Sequence, residues 1–93
     1  MTELESYQSL EFTPDFFRDL LRGRFSASDV DRILRALSLL DSNERHPSLR
    51  VHQLHNDLEG QWPASASDQN RITFRRLAEG RKEVVSVSRH YKK

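Results

Sequence analysis

The sequence predicts an α+β domain in which two N-terminal helices pack on a small, mostly antiparallel, twisted sheet. Three observations carry that expectation. Apolar residues recur at helical spacing through the first half, the period shortens to about two from Leu49 onward, and clusters of Gly, Asn, Asp and Pro punctuate the second half at short intervals. A chain of 93 residues fits one domain, 1–93, with 1–8 expected to be frayed. At this size only about 60–68% of the unfolded surface can be buried, so the core is small.

The elements follow in order. Ser9-Leu-Glu-Phe-Thr13 alternates and reads as a short edge strand. Thr13-Pro14-Asp15 is a helix start: threonine caps free N–H groups, proline gives up a donor that had no partner there, and aspartate suits the positive end of the dipole. Phe16, Phe17, Leu20 and Leu21 follow at helical spacing, and Gly23 is the expected C-cap through its tolerance of positive φ. A second start lies at Ser26-Ala-Ser-Asp29, with Ser26 or Ser28 as the cap. Val30, Ile33, Leu34, Leu37 and Leu40 then mark one apolar face, expected to lie on the sheet, while Asp31, Arg32 and Arg35 lie away from it.

A loop over 41–48 leads into a β-meander with strands expected at 49–54, 61–67, 71–77 and 83–89. Pro63 removes a ladder donor, which places its strand at an edge or at a bulge. A four-residue loop over 79–82 would set Ala78 opposite Glu83, and hence Arg71 opposite His90, Thr73 opposite Ser88 and Arg75 opposite Ser86. A slip of two would keep the same residues on one face. That face is polar; the other carries Ile72, Phe74, Val85 and Val87, which with Trp62 are assigned to the core.

Charge is divided along the chain. Residues 1–44 hold nine acids against five arginines, a net −4, and residues 45–93 hold ten Lys and Arg against five acids, a net +5. The basic half suggests a face for polyanions. Cysteine is absent, which excludes disulfides and thiolate metal sites and fits a reducing cytoplasm. The acidic start has no apolar h-region and no apolar run reaches membrane-spanning length, so a cytoplasmic protein without a membrane partner is expected. His52 and His55 do not suggest zinc, because residues three apart on a strand point to opposite faces. No metal and no small-molecule cofactor are expected.

The open polar face is where chemistry is expected. Arg71, Arg75, Ser86, Ser88 and His90 share it, and Arg50 and His52 share a face of the 49–54 strand. An RNA phosphodiester calls for this inventory. A base takes the 2′-OH proton, an acid protonates the leaving 5′-oxygen, and fixed cations stabilise the charge that develops on phosphorus. Trp62 and Phe74 would offer stacking platforms if they faced outward, but their phase assigns them inward.

Leu49-Arg-Val-His-Gln-Leu-His-Asn-Asp-Leu-Glu-Gly-Gln-Trp62, then Asn70-Arg-Ile-Thr-Phe74, then a histidine near the end, resembles the RelE/HigB superfamily of type II toxins, with the HigB branch closest. The resemblance covers nearly the whole chain, and Asp29-Val-Asp-Arg-Ile33 adds to it. It implies a RelE-like fold and a metal-independent endoribonuclease that cleaves mRNA, commonly in the ribosomal A site, and is neutralised by a cognate antitoxin, a protein expected to carry a DNA-binding helix-turn-helix.

By that resemblance His90 falls on the terminal catalytic histidine, Arg71 on the arginine at the scissile phosphate and His52 on the corner histidine. The chemistry of the reaction adds His55 as an alternative complement to His90 and Tyr91 as a hydroxyl donor. Arg50, Arg75, Arg89, Lys92 and Lys93 are the candidate RNA contacts. The sequence departs from the pattern at His55 and Asn56, which stand where lysine and glycine are usual, at Ser88-Arg89 before the histidine, and at Pro63. Two other readings remain open at this level: a ParE-like toxin that binds DNA gyrase without cutting RNA, and a decayed toxin that only binds its antitoxin.

Overall fold

The computed structural model describes residues 7–51 and 60–89. Thr13 opens the first helix as its residue type demands. Its hydroxyl accepts from the Phe16 N–H at 3.1 Å and donates to the Val85 carbonyl at 2.7 Å, so one side chain caps α1 (Pro14–Arg22) and fastens it to a strand 72 residues away. The second helix, α2 (Ala27–Ser42), starts at Ser26 with a reciprocal capping box to Asp29. Ser26, not Ser28, is therefore the cap.

Four strands follow the expected order with changed boundaries: β1 (Leu10–Phe12), β2 (Gln61–Ser65), β3 (Asn70–Arg76) and β4 (Lys82–Arg89). They form a mixed sheet in the order β1-β4-β3-β2, with β1 parallel to β4 and the other two pairings antiparallel. Pro63 lies in β2, the last strand of that order, where its missing donor costs no ladder bond on the outer side. On the other side, β1 covers only Lys82 to Val84 of β4. The helix α1 then shields the rest of that edge, and the Asp19 carboxylate accepts from the Val87 N–H at 3.3 Å. Covering the edge in this way removes a row of backbone groups that would otherwise recruit another strand.

The core lies between α2 and one face of the sheet. Ile33, Leu37 and Leu40 of the helical stripe meet Ile72, Phe74, Val84 and Val87, and Phe16 and Leu49 complete the layer. Trp62 packs on this cluster without being fully buried, with the Arg76 guanidinium 4.5 Å from its ring centroid. Arg76 is held in turn by Glu44, whose carboxylate accepts from Nε at 2.9 Å.

Three expectations need correction. No strand begins at Leu49: Pro47–Leu49 is a 3-10 turn, and Arg50 is left-handed at φ 55°. The proline at its start and a backbone conformation outside the β region break the extended reading. The remainder of that expected strand lies outside the described residues. The C-cap Gly23 has φ −76°, and the left-handed residue is Arg24 at φ 56°. Glycine is needed at 23 for space, because a Cβ there would collide with the Phe25 ring and come within 2.8 Å of the Asp19 carbonyl oxygen.

The third correction concerns register. Arg71 stands opposite Ser88 rather than His90, Thr73 opposite Ser86, and Arg75 opposite Glu83. The connection after β3 is longer than four residues: Arg76 pairs with Lys82, and a 3-10 turn at Ala78–Gly80 uses positive φ at Glu79 and Gly80. A β-bulge then lies opposite the Thr73/Phe74 step. Its extra residue is Val85, so Val84 goes to the core and Val85 does not.

Candidate functional site: the outer face of the sheet

Helices cover one face of the sheet, and cross-strand pairing sets out the other in three rows. Ser65, Arg71 and Ser88 form the first, Pro63, Thr73 and Ser86 the second, and Gln61, Arg75 and Glu83 the third. Directly opposed residues in such ladders hold their Cβ atoms about 4.5–5.5 Å apart, so each row is a contact set. The expected grouping of Arg71, Arg75, Ser86 and Ser88 on one face is observed.

The two arginines differ in what they face. Arg75 has Glu83 at 3.9 Å, a long pairing between exposed groups that contributes little to stability. Arg71 is half-buried between two serines and makes no hydrogen bond or ion pair among the described residues. A guanidinium flanked by hydroxyls, with no carboxylate among the described residues to neutralise it, is suited to an anionic oxygen.

The other candidates fall elsewhere. Arg89 pairs with the buried Asn70 at the far end of the helix-covered face. Its guanidinium donates to the Arg24 carbonyl, lies 3.9 Å from Asp29 and 5.5 Å from the Phe25 ring centroid. These contacts close the turn between α1 and α2. Arg50 faces Asp68 at 3.6 Å, and its Nε is buried without a hydrogen-bond partner among the described residues. His52, His55, His90, Tyr91, Lys92 and Lys93 lie outside the described residues.

Sequence reasoning overlooked two groups. Asp29, read in the sequence as a helix-start residue and as part of the family resemblance, also accepts from Asn70 Nδ2 at 2.9 Å and so joins α2 to the start of β3. The Ser26 amide, the Asn70 amide, the Ser26 hydroxyl and the Arg89 charge hold its carboxyl below the usual value, against a smaller opposing effect of burial. Ser65 was likewise not singled out, and its place beside Arg71 follows from pairing alone. Trp62, Ala64 and Ala66 alternate toward the core, and the position of Ser65 between them was the available signal. Among the described residues, no group of three or more His, Asp or Glu is placed to hold a metal ion, and no helix is long and apolar enough to cross a membrane.

An α+β domain with an open basic sheet face is thus defined, and its fold is that of known toxins. The sequence matches no protein-family model and no curated protein. Solved structures do match. A chain of the E. coli DinJ-YafQ toxin-antitoxin complex has a TM-score of 0.68 at 14% identity, covering 90% of this chain and 93% of that chain. The YoeB dimer from Staphylococcus aureus gives 0.61 at 19% identity over 92% of this chain and all of that chain, 100%. A YoeB/ParE toxin from Agrobacterium tumefaciens gives 0.58 at 24% identity over 90% and 100% respectively. At these identities the likeness establishes the fold: two helices packed on a four-stranded mixed sheet, as the RelE-like resemblance implied.

Proposed function

We propose that this chain is the toxin of a type II toxin-antitoxin pair and a metal-independent endoribonuclease that cleaves mRNA on the ribosome. The observation that carries the reading is Arg71, a guanidinium without a partner among the described residues, set between Ser65 and Ser88 on the open face. The fold shared with YafQ and YoeB toxins and the HigB-like motif order support it.

In this reading Arg71 and Arg75 clamp the scissile phosphate and stabilise the charge that grows on its oxygens. His90 and either His52 or His55 exchange protons with the 2′-OH and the leaving 5′-oxygen, and Tyr91 donates a hydroxyl hydrogen bond. Arg50, Lys92 and Lys93 hold flanking phosphates. Arg89 is assigned a smaller part in binding, because its guanidinium is occupied by Arg24, Asp29 and Phe25. The partner is a cognate antitoxin with a DNA-binding helix-turn-helix, and the site of action is the cytoplasm.

Cleavage of mRNA in a translating extract by wild type, His90→Ala and Arg71→Gln tests the proposal. Cleavage by wild type and its loss in both variants is the expected result. Equal cleavage by the His90 variant would remove the mechanism, and intact mRNA with blocked gyrase supercoiling would favour the ParE-like alternative.

A further inference from the structure

Arg32 and Arg35 are not used by the reading above. They lie three residues apart on α2, hence on one side of it, with both side chains exposed. Neither makes an ion pair or a hydrogen bond among the described residues, and like charges at this spacing work against a helix. Both line a cavity of about 400 Å³, shared with Ser48, with Ser65 at the end of β2 and with Ser67 and Asp68 of the β2–β3 turn.

The polar groups of this cavity are arranged for an anion. Ser67 Oγ accepts from the Gln69 N–H at 3.2 Å and from the Asn70 N–H at 3.1 Å. With both lone pairs engaged, its O–H proton remains to be donated. The Ser65 hydroxyl is spent on the Ser67 carbonyl at 3.0 Å and does not compete. Asp68, the one carboxylate among the described lining residues, is answered by Arg50 at 3.6 Å. What the cavity presents without a partner among the described residues is therefore two guanidinium groups and a hydroxyl donor.

Its place is as informative as its chemistry. Ser65 is the cross-strand partner of Arg71, and neighbouring strands lie about 4.8 Å apart. The cavity thus lies against α2 at the β2 edge of the sheet, and Ser65 joins its wall to the Arg71 row on the open face. A chain of phosphates passing round that edge would meet Arg71 and the cavity in succession.

We infer that this cavity is a second phosphodiester subsite, in which Arg32, Arg35 and Ser67 hold a backbone phosphate of the same single-stranded RNA whose scissile phosphate lies at Arg71. The choice of RNA rests on the function proposed above. Among the described residues no aromatic side chain lines the cavity, so they offer no surface for stacking a base and position the strand without reading its sequence.

The test is a fluorescence-anisotropy titration of wild type, R32Q/R35Q and R32K/R35K with single-stranded RNAs of differing sequence, 2′-O-methylated to block cleavage, across a salt series. Loss of one phosphate contact from a single strand shrinks the slope of log K against log salt by about 0.7. R32Q/R35Q is expected to show that change and a weaker affinity that is the same for every sequence, and the lysine pair to restore most of the slope. Unchanged affinity and slope in R32Q/R35Q, a loss confined to one base sequence, or no RNA binding by wild type would each overturn the subsite. A wild type that binds RNA but cleaves none in extract would refute the nuclease reading alone, since the titration decides the subsite without cleavage.

Discussion

Asp41, at the end of α2, ties that helix to the residues leading into β1, and its replacement by asparagine has a calculable effect. Its Oδ1 accepts from the Ser9 hydroxyl at 2.6 Å and the Ser9 N–H at 2.7 Å, and the Gln8 N–H lies 3.2 Å from both oxygens. Lys82, only 7% exposed, reaches the same Ser9 hydroxyl at 3.3 Å. Hydrogen bonds to a charged group contribute about 1.5–3 kcal/mol each. Asparagine keeps one acceptor oxygen, and the half-buried site is partly screened, so the expected net loss is about 1–3 kcal/mol rather than the sum. For a domain of this length that loss lowers Tm by roughly 5–20 °C.

Burial works against ionisation of Asp41, but the Ser9 hydroxyl, the Ser9 and Gln8 amides and the Lys82 charge outweigh it and hold the carboxyl below its ordinary 3.8. A depressed carboxyl stabilises fully above that value and loses its contribution as pH falls through the folded value. Wild type should therefore lose stability below about pH 4, and Asp41→Asn should lose less over the same window. Asp29, also depressed, leaves some acid sensitivity in the variant. Urea denaturation at pH 7 and at acid pH measures both effects. A difference under about 0.5 kcal/mol at pH 7, the range of an ordinary surface change, would refute the argument.

Val84→Ala should cost about 2 kcal/mol and Val85→Ala under about 1, because only Val84 is fully buried; equal losses in denaturant titrations would contradict the bulge. Gly23→Ala should destabilise by about 1–3 kcal/mol through crowding against Phe25 and the Asp19 carbonyl. Relief of most of that loss in a Gly23→Ala, Phe25→Leu double variant would identify the ring as the cause. Arg71→Gln should lower the cleavage rate by about 10² to 10³, as for removal of one stabilising donor, while stability stays within about 0.5 kcal/mol. A matching drop in Tm would recast Arg71 as a structural residue.

Legibility followed how local each signal was. Thr13-Pro14-Asp15 and Ser26 with Asp29 carry their helix starts in a few adjacent residues, and the structure uses both. The Ile33, Leu37, Leu40 stripe and the edge position of Pro63 were readable for the same reason. The common face of Arg71, Arg75, Ser86 and Ser88 survived a two-residue slip because alternation is unchanged by it. The slip itself could not be seen, since both registers give the same pattern. Arg50 misled because an arginine between Leu49 and Val51 looks like a strand residue, and only its left-handed backbone says otherwise.

By itself the sequence determined two helices, a hairpin and a polar face holding two arginines, since periods, caps and a proline's missing donor act over a few residues. The tertiary structure alone decided which of two adjacent valines enters the core, which serines flank Arg71, and that Arg89 is taken up by Arg24, Asp29 and Phe25. The physical reason lies in contacts between distant segments. The Thr13 hydroxyl takes the Val85 carbonyl at the bulge, β1 and α1 close the edge of β4, and the turn at Ala78–Gly80 sets where that strand begins. None of these leaves a mark within any one stretch of sequence.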